Sequence, residues 1–310
     1  RRFGWGSIAR VGLVQAGLGA IVVLMTSTLN RVMVVELALP ALLPGALVAL
    51  HYLVQMSRPR MGHGSDQGSR RTPWIIGGMV TLATGALCAS LATWLMAETP
   101  AAGMLMATIG FMLIGLGVGA AGTSLLVMLA MRVDKERRAA AATIVWLMMI
   151  MGFAVTAGVA GKLLDPYSPQ RLLAVTGGVC AIALVVTLLA LFRLEGAHEQ
   201  SQQDTPVERA ISFRVALAEV WQEGAARQFT IFIFLSMLAY SAQDLILEPF
   251  AGTVFGFTPG ESTSLSGVQH GGVLLGMILV ALVGSRFANA RLGSLRVWCV
   301  GGCLASAAAL

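Results

Sequence analysis

The chain has 310 residues, of which 56% are hydrophobic and only 12% are charged, and its mean hydropathy is +0.79. A soluble core of this size cannot bury so much apolar surface, so the composition excludes an ordinary soluble protein and predicts a chain surrounded by lipid. The net charge is +6. Because no soluble basic domain carries this charge, a nucleic-acid-binding function is also excluded.

Long apolar runs recur along the whole chain and predict an all-α polytopic membrane protein. A helix needs about 20 residues to cross the hydrocarbon core of a bilayer. The runs are continuous rather than alternating, which favours helices over barrel strands. The predicted spans are Val11–Val35, Pro40–Met56, Trp74–Ala97, Met104–Met131, Ala139–Gly161, Leu172–Phe192, Phe229–Phe250 and Ser264–Val283, with a ninth begun at Leu295. Since the chain opens on Arg1 and the ninth span runs to Leu310, we expect a fragment of a longer protein with about eight and a half spans.

The basic residues are distributed unevenly among the connections between these spans. Of the 21 lysines and arginines, all but Arg31, Lys162 and Arg171 precede the first span or lie at alternate connections. Positive charge accumulates on the cytoplasmic side of membrane proteins. The distribution therefore predicts a cytoplasmic N-terminus.

A polar stretch divides the predicted spans into two groups. Residues 195–208, EGAHEQSQQDTPVE, have the composition of a solvated linker. Phe213, Leu217, Val220 and Trp221 then recur at helical spacing, which predicts a short amphipathic helix. This helix could lie on the inner membrane surface or pack on cytoplasmic loops. We predict an N-terminal six-helix half (1–193), a cytoplasmic linker with this helix (194–226) and the start of a C-terminal half (227–310).

The loop between the second and third spans carries a recognisable motif. Its sequence GHGSDQGSRR resembles the signature loop of the major facilitator superfamily, with Gly62, Asp66, Arg70 and Arg71 at matching positions. Gln67 replaces the usual basic residue, and the second glycine is one place early. An acid near a helix end, paired with cations or helix termini, can hold one conformational state. We interpret these four matching residues as a conformational latch.

Four further segments resemble one branch of that superfamily, the bacteriochlorophyll-delivery branch of PucC/LhaA light-harvesting complex assembly proteins. They are LNRVMVVEL (29–37), HYLVQMSRPRMGHGSD (51–66), RRTPWIIGG (70–78) and AQDLILEPFAGTVFGF (242–257). The resemblance implies a twelve-helix major facilitator fold in the bacterial inner (intracytoplasmic) membrane. It also implies bacteriochlorophyll as a possible bound cargo. The implied partners are light-harvesting antenna polypeptides, the reaction centre, pigment and lipid, with no nucleic acid.

Ionisable residues inside the spans are candidates for function because burying them in lipid is costly. Arg31 and Glu36 are five positions apart, about 140° around an α-helix, so we expect Arg31 to find another partner. Tyr240, Asp244 and Glu248 are spaced to share one helix face. We predict that Arg31 pairs with Asp244 or Glu248 at the outer end of a central cleft, as a gate or as a static packing pair. The complete predicted gate is Asn30, Arg31, Glu36, Tyr240, Asp244 and Glu248.

Two histidines and a glutamine are candidate pigment-binding residues. His51 and Gln55 share a face of the second span, and His270 lies in the eighth. An imidazole nitrogen can serve as the single axial ligand of the magnesium in bacteriochlorophyll. The same residues could instead be hydrogen-bonded core histidines or proton relays.

Two functions compete on the sequence alone. One is an assembly factor that binds or delivers bacteriochlorophyll to antenna polypeptides, and the other is a proton-coupled secondary transporter of a small solute. The carboxylates lie toward helix ends, which favours assembly over proton coupling at the middle of the membrane. Motifs for nucleotide, metal or nucleophile chemistry are missing from the sequence, which predicts that the protein is not an enzyme.

Overall fold

The computed structural model describes residues 2–58, 61, 70–195, 221–286 and 295–309. These residues form helices and short connections. The principal helices are α1 (Trp5–Glu36), α2 (Leu42–Ser57), α3 (Thr72–Glu98), α4 (Pro100–Arg132), α5 (Arg138–Leu163), α6 (Pro169–Leu191), α7 (Gly224–Phe255), α8 (Pro259–Arg286) and α9 (Leu295–Ala309). Seven of them, α1 and α3–α8, are long and apolar enough to cross a membrane. The prediction of an all-α polytopic membrane protein is therefore confirmed.

The shorter helices α2 and α9 correspond to the predicted second and ninth spans. The number of crossings thus stays a prediction. The predicted linker lies almost entirely outside the described residues, as do Phe213, Leu217 and Val220 of the predicted amphipathic helix.

One end of the helix bundle gathers basic residues and binds the N-terminal segment. The backbone N–H of Phe3 donates to the carbonyl of Arg132 at 2.8 Å, at the end of α4. Arg10 donates to the carbonyl of Ala190 at 2.8 Å, at the end of α6. We call this the arginine-rich end, defined by Arg2, Arg10, Arg71, Arg132 and Arg193. Alternate connections of the chain therefore meet there, as an up-and-down arrangement of spanning helices requires.

α1 is the central helix of the bundle. Its side chains Ile21, Met25, Leu29 and Met33 are fully buried, because α1 contacts α5, α6, α7 and α8. Two segments of α1, Leu24–Thr28 and Val32–Glu36, are π-helical, with backbone bonds between residues five apart. Such segments often occur at functional sites. Both lie on the half of α1 that faces α7 and α8.

Small residues let several helix pairs approach closely. On the α3–α4 contact, a Cβ added at Gly85 would lie 2.7 Å from the carbonyl oxygen of Gly110. A Cβ at Gly117 would lie 2.5 Å from the backbone nitrogen of Leu82. Since membrane helices associate by close packing rather than by the hydrophobic effect, such glycines hold the pair together. Similar contacts join α5 to α8, which fixes α8 and α7 beside α1.

Candidate functional site

Arg31 pairs with a residue of its own helix, which corrects the predicted gate. Its guanidinium is 2% exposed and donates to the carboxylate of Glu36 at 2.5 Å. The prediction assumed α-helical geometry, which separates these two residues by about 140°. The π segment Val32–Glu36 instead brings residues five apart onto one face. Arg31 therefore does not need Asp244 or Glu248 as its partner.

A turn between α7 and α8 supplies the second contact of Arg31. Gly256 ends α7 in the left-handed conformation, with φ of 69°. The chain then reverses and presents the carbonyl oxygen of Phe257, which accepts from Arg31 at 2.5 Å. Tyr167, in the α5–α6 connection, also lies close to this pair. Burial, followed by the charge of Glu36, raises the pKa of Tyr167 to about 12, so it stays a neutral hydroxyl. Arg31 thus joins α1 to the α7–α8 turn.

Asn30 compensates for a proline inside α7. Pro249 has no backbone N–H, so the carbonyl of Leu245, one turn earlier, lacks its usual helical donor. The side-chain amide of Asn30 donates to this carbonyl at 2.7 Å. Asn30 is 4% exposed, so the bond is shielded from water. The structure therefore brings Asn30, a predicted gate residue of α1, into contact with α7. The contact is with the backbone of α7 rather than with one of its carboxylates.

Glu248 lies in a pocket of hydroxyl groups. Its side chain is fully buried, and its Oε1 accepts from Ser27 at 2.6 Å and from Ser266 at 2.7 Å. Its Oε2 lies 3.4 Å from the hydroxyl of Ser262 and 3.3 Å from that of Thr263. Glu248 lies toward the end of α7, as expected from the sequence, and α1 and α8 enclose it there. We call Glu248 and these four hydroxyl residues the hydroxyl pocket.

Sequence reasoning missed the hydroxyl residues of this pocket. The signal was present as two short runs of serine and threonine in apolar helices, residues 26–28 (TST) and 262–266 (STSLS). Hydroxyls in a spanning helix usually bond to the backbone of their own helix. Ser27 and Ser266 instead contact each other's helices, with 3.0 Å between their oxygens.

Asp244 pairs with His270 rather than with Arg31. The Nε2 of His270 lies 3.7 Å from an Asp244 carboxylate oxygen, and its Nδ1 lies 2.8 Å from the carbonyl of Ser266. The hydroxyl of Tyr240 is buried without a hydrogen-bond partner in the described structure. Tyr240, Asp244 and Glu248, which were predicted to share one face of α7, therefore lie in two different environments.

The predicted pigment ligands have little space around them. His51 and His270 are each 1% exposed. The Nδ1 of His51 lies 2.9 Å from the carbonyl of Val48, one turn earlier in α2. The side-chain oxygen of Gln55 accepts from Arg58. A macrocycle needs open space beside the ligating atom, so the prediction of His51 and His270 as pigment ligands does not fit this arrangement. Gln55 is half-buried, and its pigment contact stays a prediction.

Only part of the predicted latch can be placed. Gly62 and Asp66 lie outside the described residues, whereas Arg70 and Arg71 lie at the start of α3. There a different acid binds the helix: Glu195, following α6, accepts from the backbone N–H of Arg71 at 2.7 Å and from that of Thr72 at 2.9 Å. Burial opposes the charged form, yet these bonds, the Thr72 hydroxyl and the charge of Arg132 together lower the pKa of Glu195. Glu195 thus caps the start of α3 from the segment that follows α6.

An apolar groove runs between α1, α5 and α6. Its volume is about 650 Å³, within the range of small-molecule sites. Exposed side chains such as Val155 and Ile182 border it, so it opens on the side of the bundle. Small residues form much of its floor, and Thr156 and Arg171 supply polar groups. The floor residues include Ala16, Gly17, Ala20, Gly152, Ala174 and Gly178.

Comparison with known proteins identifies the family. Residues 28–310 match the family described as PUCC protein, which is most of the chain. The chain belongs to the PUCC family. This supports the resemblance to PucC proteins noted in the sequence, whereas the wider assignment to the major facilitator superfamily stays a prediction.

Two proteins of Rhodobacter capsulatus are among those similar to this PUCC family member. It is 53% identical over 308 residues to the bacteriochlorophyll synthase 44.5 kDa chain of Rhodobacter capsulatus, covering 99% of this chain and 70% of that protein. It is 28% identical over 281 residues to Protein PucC of the same organism, covering 87% of this chain and 61% of PucC. The chain thus spans about three-fifths of the PucC protein and somewhat more of the synthase chain.

The prediction that the protein is not an enzyme is wrong. The relative at 53% identity is named as a chain of bacteriochlorophyll synthase, which points to an enzymatic function. The prediction rested on missing motifs for nucleotides, metals and nucleophiles. Such motifs recognise only some reaction classes, so their absence from a membrane chain was weak ground for excluding catalysis.

Proposed function

We propose that this PUCC family member works within the membrane machinery that makes bacteriochlorophyll and delivers the pigment to light-harvesting antenna polypeptides. The observation that carries the proposal is the identity of 53%, over 99% of the chain, with a bacteriochlorophyll synthase chain. The names of the relatives support involvement in photosynthetic pigment or complex assembly. Delivery to antenna polypeptides, with the reaction centre as a second partner, is the finer part of the proposal.

The apolar groove between α1, α5 and α6 is the best place in the described structure for such a pigment. A bacteriochlorophyll is mostly apolar, and lipid-exposed grooves with few polar groups suit ligands of this kind. The groove opens sideways, so a pigment could enter from the membrane or pass to a neighbouring polypeptide without crossing water. Thr156 can offer a hydroxyl to a polar atom of the pigment, and Arg171 a cation at the rim.

The proposed arrangement in the membrane follows the charge distribution. The arginine-rich end supports a cytoplasmic N-terminus in the bacterial inner membrane. The contact of α7 and α8 with α1 and α5 is compatible with two six-helix halves, as in the major facilitator fold.

The proposal is tested first in the photosynthetic bacterium. Deleting the protein should lower the near-infrared absorbance of assembled antenna complexes in isolated membranes. Restoring the intact gene should recover it. Unchanged antenna absorbance in the deletion strain contradicts the proposal.

The groove is tested by filling it. Gly178 lines the groove on α6, and a Cβ there meets nothing within 4 Å, so Gly178→Phe adds bulk without a backbone clash. The matched control is Leu105→Phe, at a side chain of α4 that is 64% exposed. Pigment that co-purifies with the protein, measured by absorption, should fall in the first variant and stay in the second. Equal pigment in both would place the pigment elsewhere.

A further inference from the structure

The carboxyl group of Glu248 is completely buried and has no cationic partner among the described residues. Arg31, one turn beyond Ser27 on α1, is held by Glu36 and the Phe257 carbonyl. An unpaired charge at such a position is strongly disfavoured. The distances from the surrounding hydroxyl oxygens indicate how this cost is avoided.

One carboxyl oxygen has two close donors. Ser27 and Ser266 lie 2.6 Å and 2.7 Å from Oε1 of Glu248. Each hydroxyl has a single hydrogen. When both hydrogens point to Oε1, this oxygen is a carbonyl oxygen that accepts two hydrogen bonds. The oxygens of Ser27 and Ser266 are then 3.0 Å apart without a hydrogen bond between them.

The other carboxyl oxygen faces hydroxyls that have nearer acceptors. Ser262 lies 3.2 Å from the carbonyl of Pro259 but 3.4 Å from Oε2 of Glu248. Thr263 lies 3.1 Å from the hydroxyl of Thr28 but 3.3 Å from Oε2. With their hydrogens directed to the nearer acceptors, both hydroxyls present lone pairs to Oε2. A hydrogen bound to Oε2 of Glu248 can then be donated to these lone pairs, so that both carboxyl oxygens have hydrogen-bond partners.

A metal ion fits the same oxygen atoms less well. Hard cations such as calcium take six to eight oxygen ligands at about 2.3–2.6 Å. The hydroxyl pocket contains a single carboxylate, and its oxygens and that of the adjacent Thr28 are 2.6–3.1 Å apart along Ser27–Glu248, Ser27–Ser266 and Thr28–Thr263. These separations are those of direct hydrogen bonds. They favour a proton over a metal ion in the pocket.

We propose that Glu248 is a proton-binding site that holds α1 against α7 and α8. The protonated side chain joins α1, through Ser27, to α8, through Ser266. Loss of the proton would leave a buried negative charge, which Ser262 and Thr263 can meet only by turning their hydrogens away from their nearer acceptors. The helices would then separate enough to admit water to the carboxylate.

The charged and titratable neighbours do not supply a counter-ion. On α7, Asp244 lies one turn away and adds negative charge. On α8, His270 is directed at Asp244, and Glu261 accepts from the backbone of Thr258. The proposal concerns the bundle itself and does not depend on which cargo the protein handles.

The test is infrared spectroscopy of the purified protein in lipid, titrated with pH. The wild type should show the carbonyl band of a protonated carboxylic acid at neutral pH, and the band should be lost in Glu248→Gln. The matched control Glu261→Gln changes an exposed acid at the start of α8 and should keep the band. Identical wild-type and Glu248→Gln spectra at neutral pH would overturn the proposal.

A second variant tests the hydrogen-bond assignment without removing the acid. Ser266→Ala deletes one of the two donors to Oε1, so the acid carbonyl band should move to higher wavenumber. An unmoved band overturns the assignment, even if Glu248→Gln does not fold. Adding sodium ions at fixed pH should leave the band unchanged. A band that sodium abolishes would identify an alkali-metal site instead.

Discussion

The guanidinium of Arg31 binds the carboxylate of Glu36 five residues later in the same helix, at 2.5 Å. An α-helix would point the two side chains apart, so the pair exists because Val32–Glu36 is π-helical. Arg31 is 2% exposed whereas Glu36 is 35% exposed, so the cation is buried and its carboxylate partner lies nearer to the surface of the bundle. Arg31 and Asp244 therefore have different partners, Glu36 and His270.

We expect Arg31 to be coupled to Glu36 and not to Asp244. Removing Glu36 takes one acceptor from a buried cation, so Glu36→Gln should cost about 1–3 kcal/mol, reduced by the partial exposure of Glu36. Double-mutant cycles on thermal unfolding in detergent measure the coupling. Arg31→Met with Glu36→Gln should be non-additive, and Arg31→Met with Asp244→Asn additive. The reverse pattern would restore the gate predicted from the sequence.

The cap of α3 by Glu195 should depend on pH. The folded protein lowers the pKa of Glu195 from its ordinary value of 4.5, so the charged form stabilises the fold. This stabilisation is complete above the unfolded pKa and is lost as the pH falls through the lower, folded value. Glu195→Gln should therefore unfold at a lower temperature than the wild type at pH 7, and the difference should shrink below pH 4.5.

An exposed acid provides the control for this pH effect. Glu98→Gln changes a glutamate at the end of α3 that is exposed. Its unfolding temperature should follow that of the wild type across the same pH range. If the Glu195 and Glu98 variants behave alike, Glu195 contributes nothing specific to the start of α3.

Neighbouring glycines on α3 offer a matched test of close helix packing. A Cβ at Gly78 would lie 2.5 Å from the backbone nitrogen of Ala121, whereas one at Gly77 meets nothing within 4 Å. Gly78→Ala should destabilise the protein by about 1–3 kcal/mol because α3 and α4 must move apart. Gly77→Ala should be neutral or stabilising by up to about 1 kcal/mol. Equal unfolding temperatures would mean that the two helices can adjust freely.

Asn30 and Pro249 should compensate for each other. Asn30→Ala leaves the buried carbonyl of Leu245 without its donor, at a cost of about 1–3 kcal/mol. Pro249→Ala restores a backbone N–H that can bond to the same carbonyl. Asn30→Ala should therefore cost less in the Pro249→Ala background, as measured by thermal unfolding. A cost that is the same in both backgrounds would show that Asn30 does not serve this carbonyl.

The sequence predicted the helices well, because apolar length alone decides what can lie in lipid. It also placed Tyr240, Asp244 and Glu248 correctly on one face, since α7 keeps regular helical spacing there. It failed at Arg31 because apolar patterning does not reveal a π segment. With 3.6 residues per turn, the calculated angle between Arg31 and Glu36 is too large for contact, so the sequence argument excluded Glu36, which is the actual partner of Arg31.

The polar contacts between helices were the least predictable part of the candidate site. Ser27 and Glu248 are 221 positions apart, and their contact depends on how α7 and α8 dock on α1. Pro249 has no backbone N–H, so the sequence alone indicates that the carbonyl of Leu245 lacks its helical donor and needs another one. Its donor could not be named, because many helices could have faced that carbonyl.

The two π segments of α1 show where this helix holds one residue more than regular geometry requires. A bond between residues five apart encloses one residue more than an α-helical bond, so each segment is equivalent to an α-helix with one inserted residue. Deleting a single residue such as Val34 would let the segment Val32–Glu36 become α-helical and would leave Glu36 four positions from Arg31. Side chains four positions apart lie on the same face of an α-helix, so the pair would survive this deletion. We therefore expect α1 to tolerate apolar replacements and the loss of one residue between Val32 and Glu36, but not the insertion of another residue there.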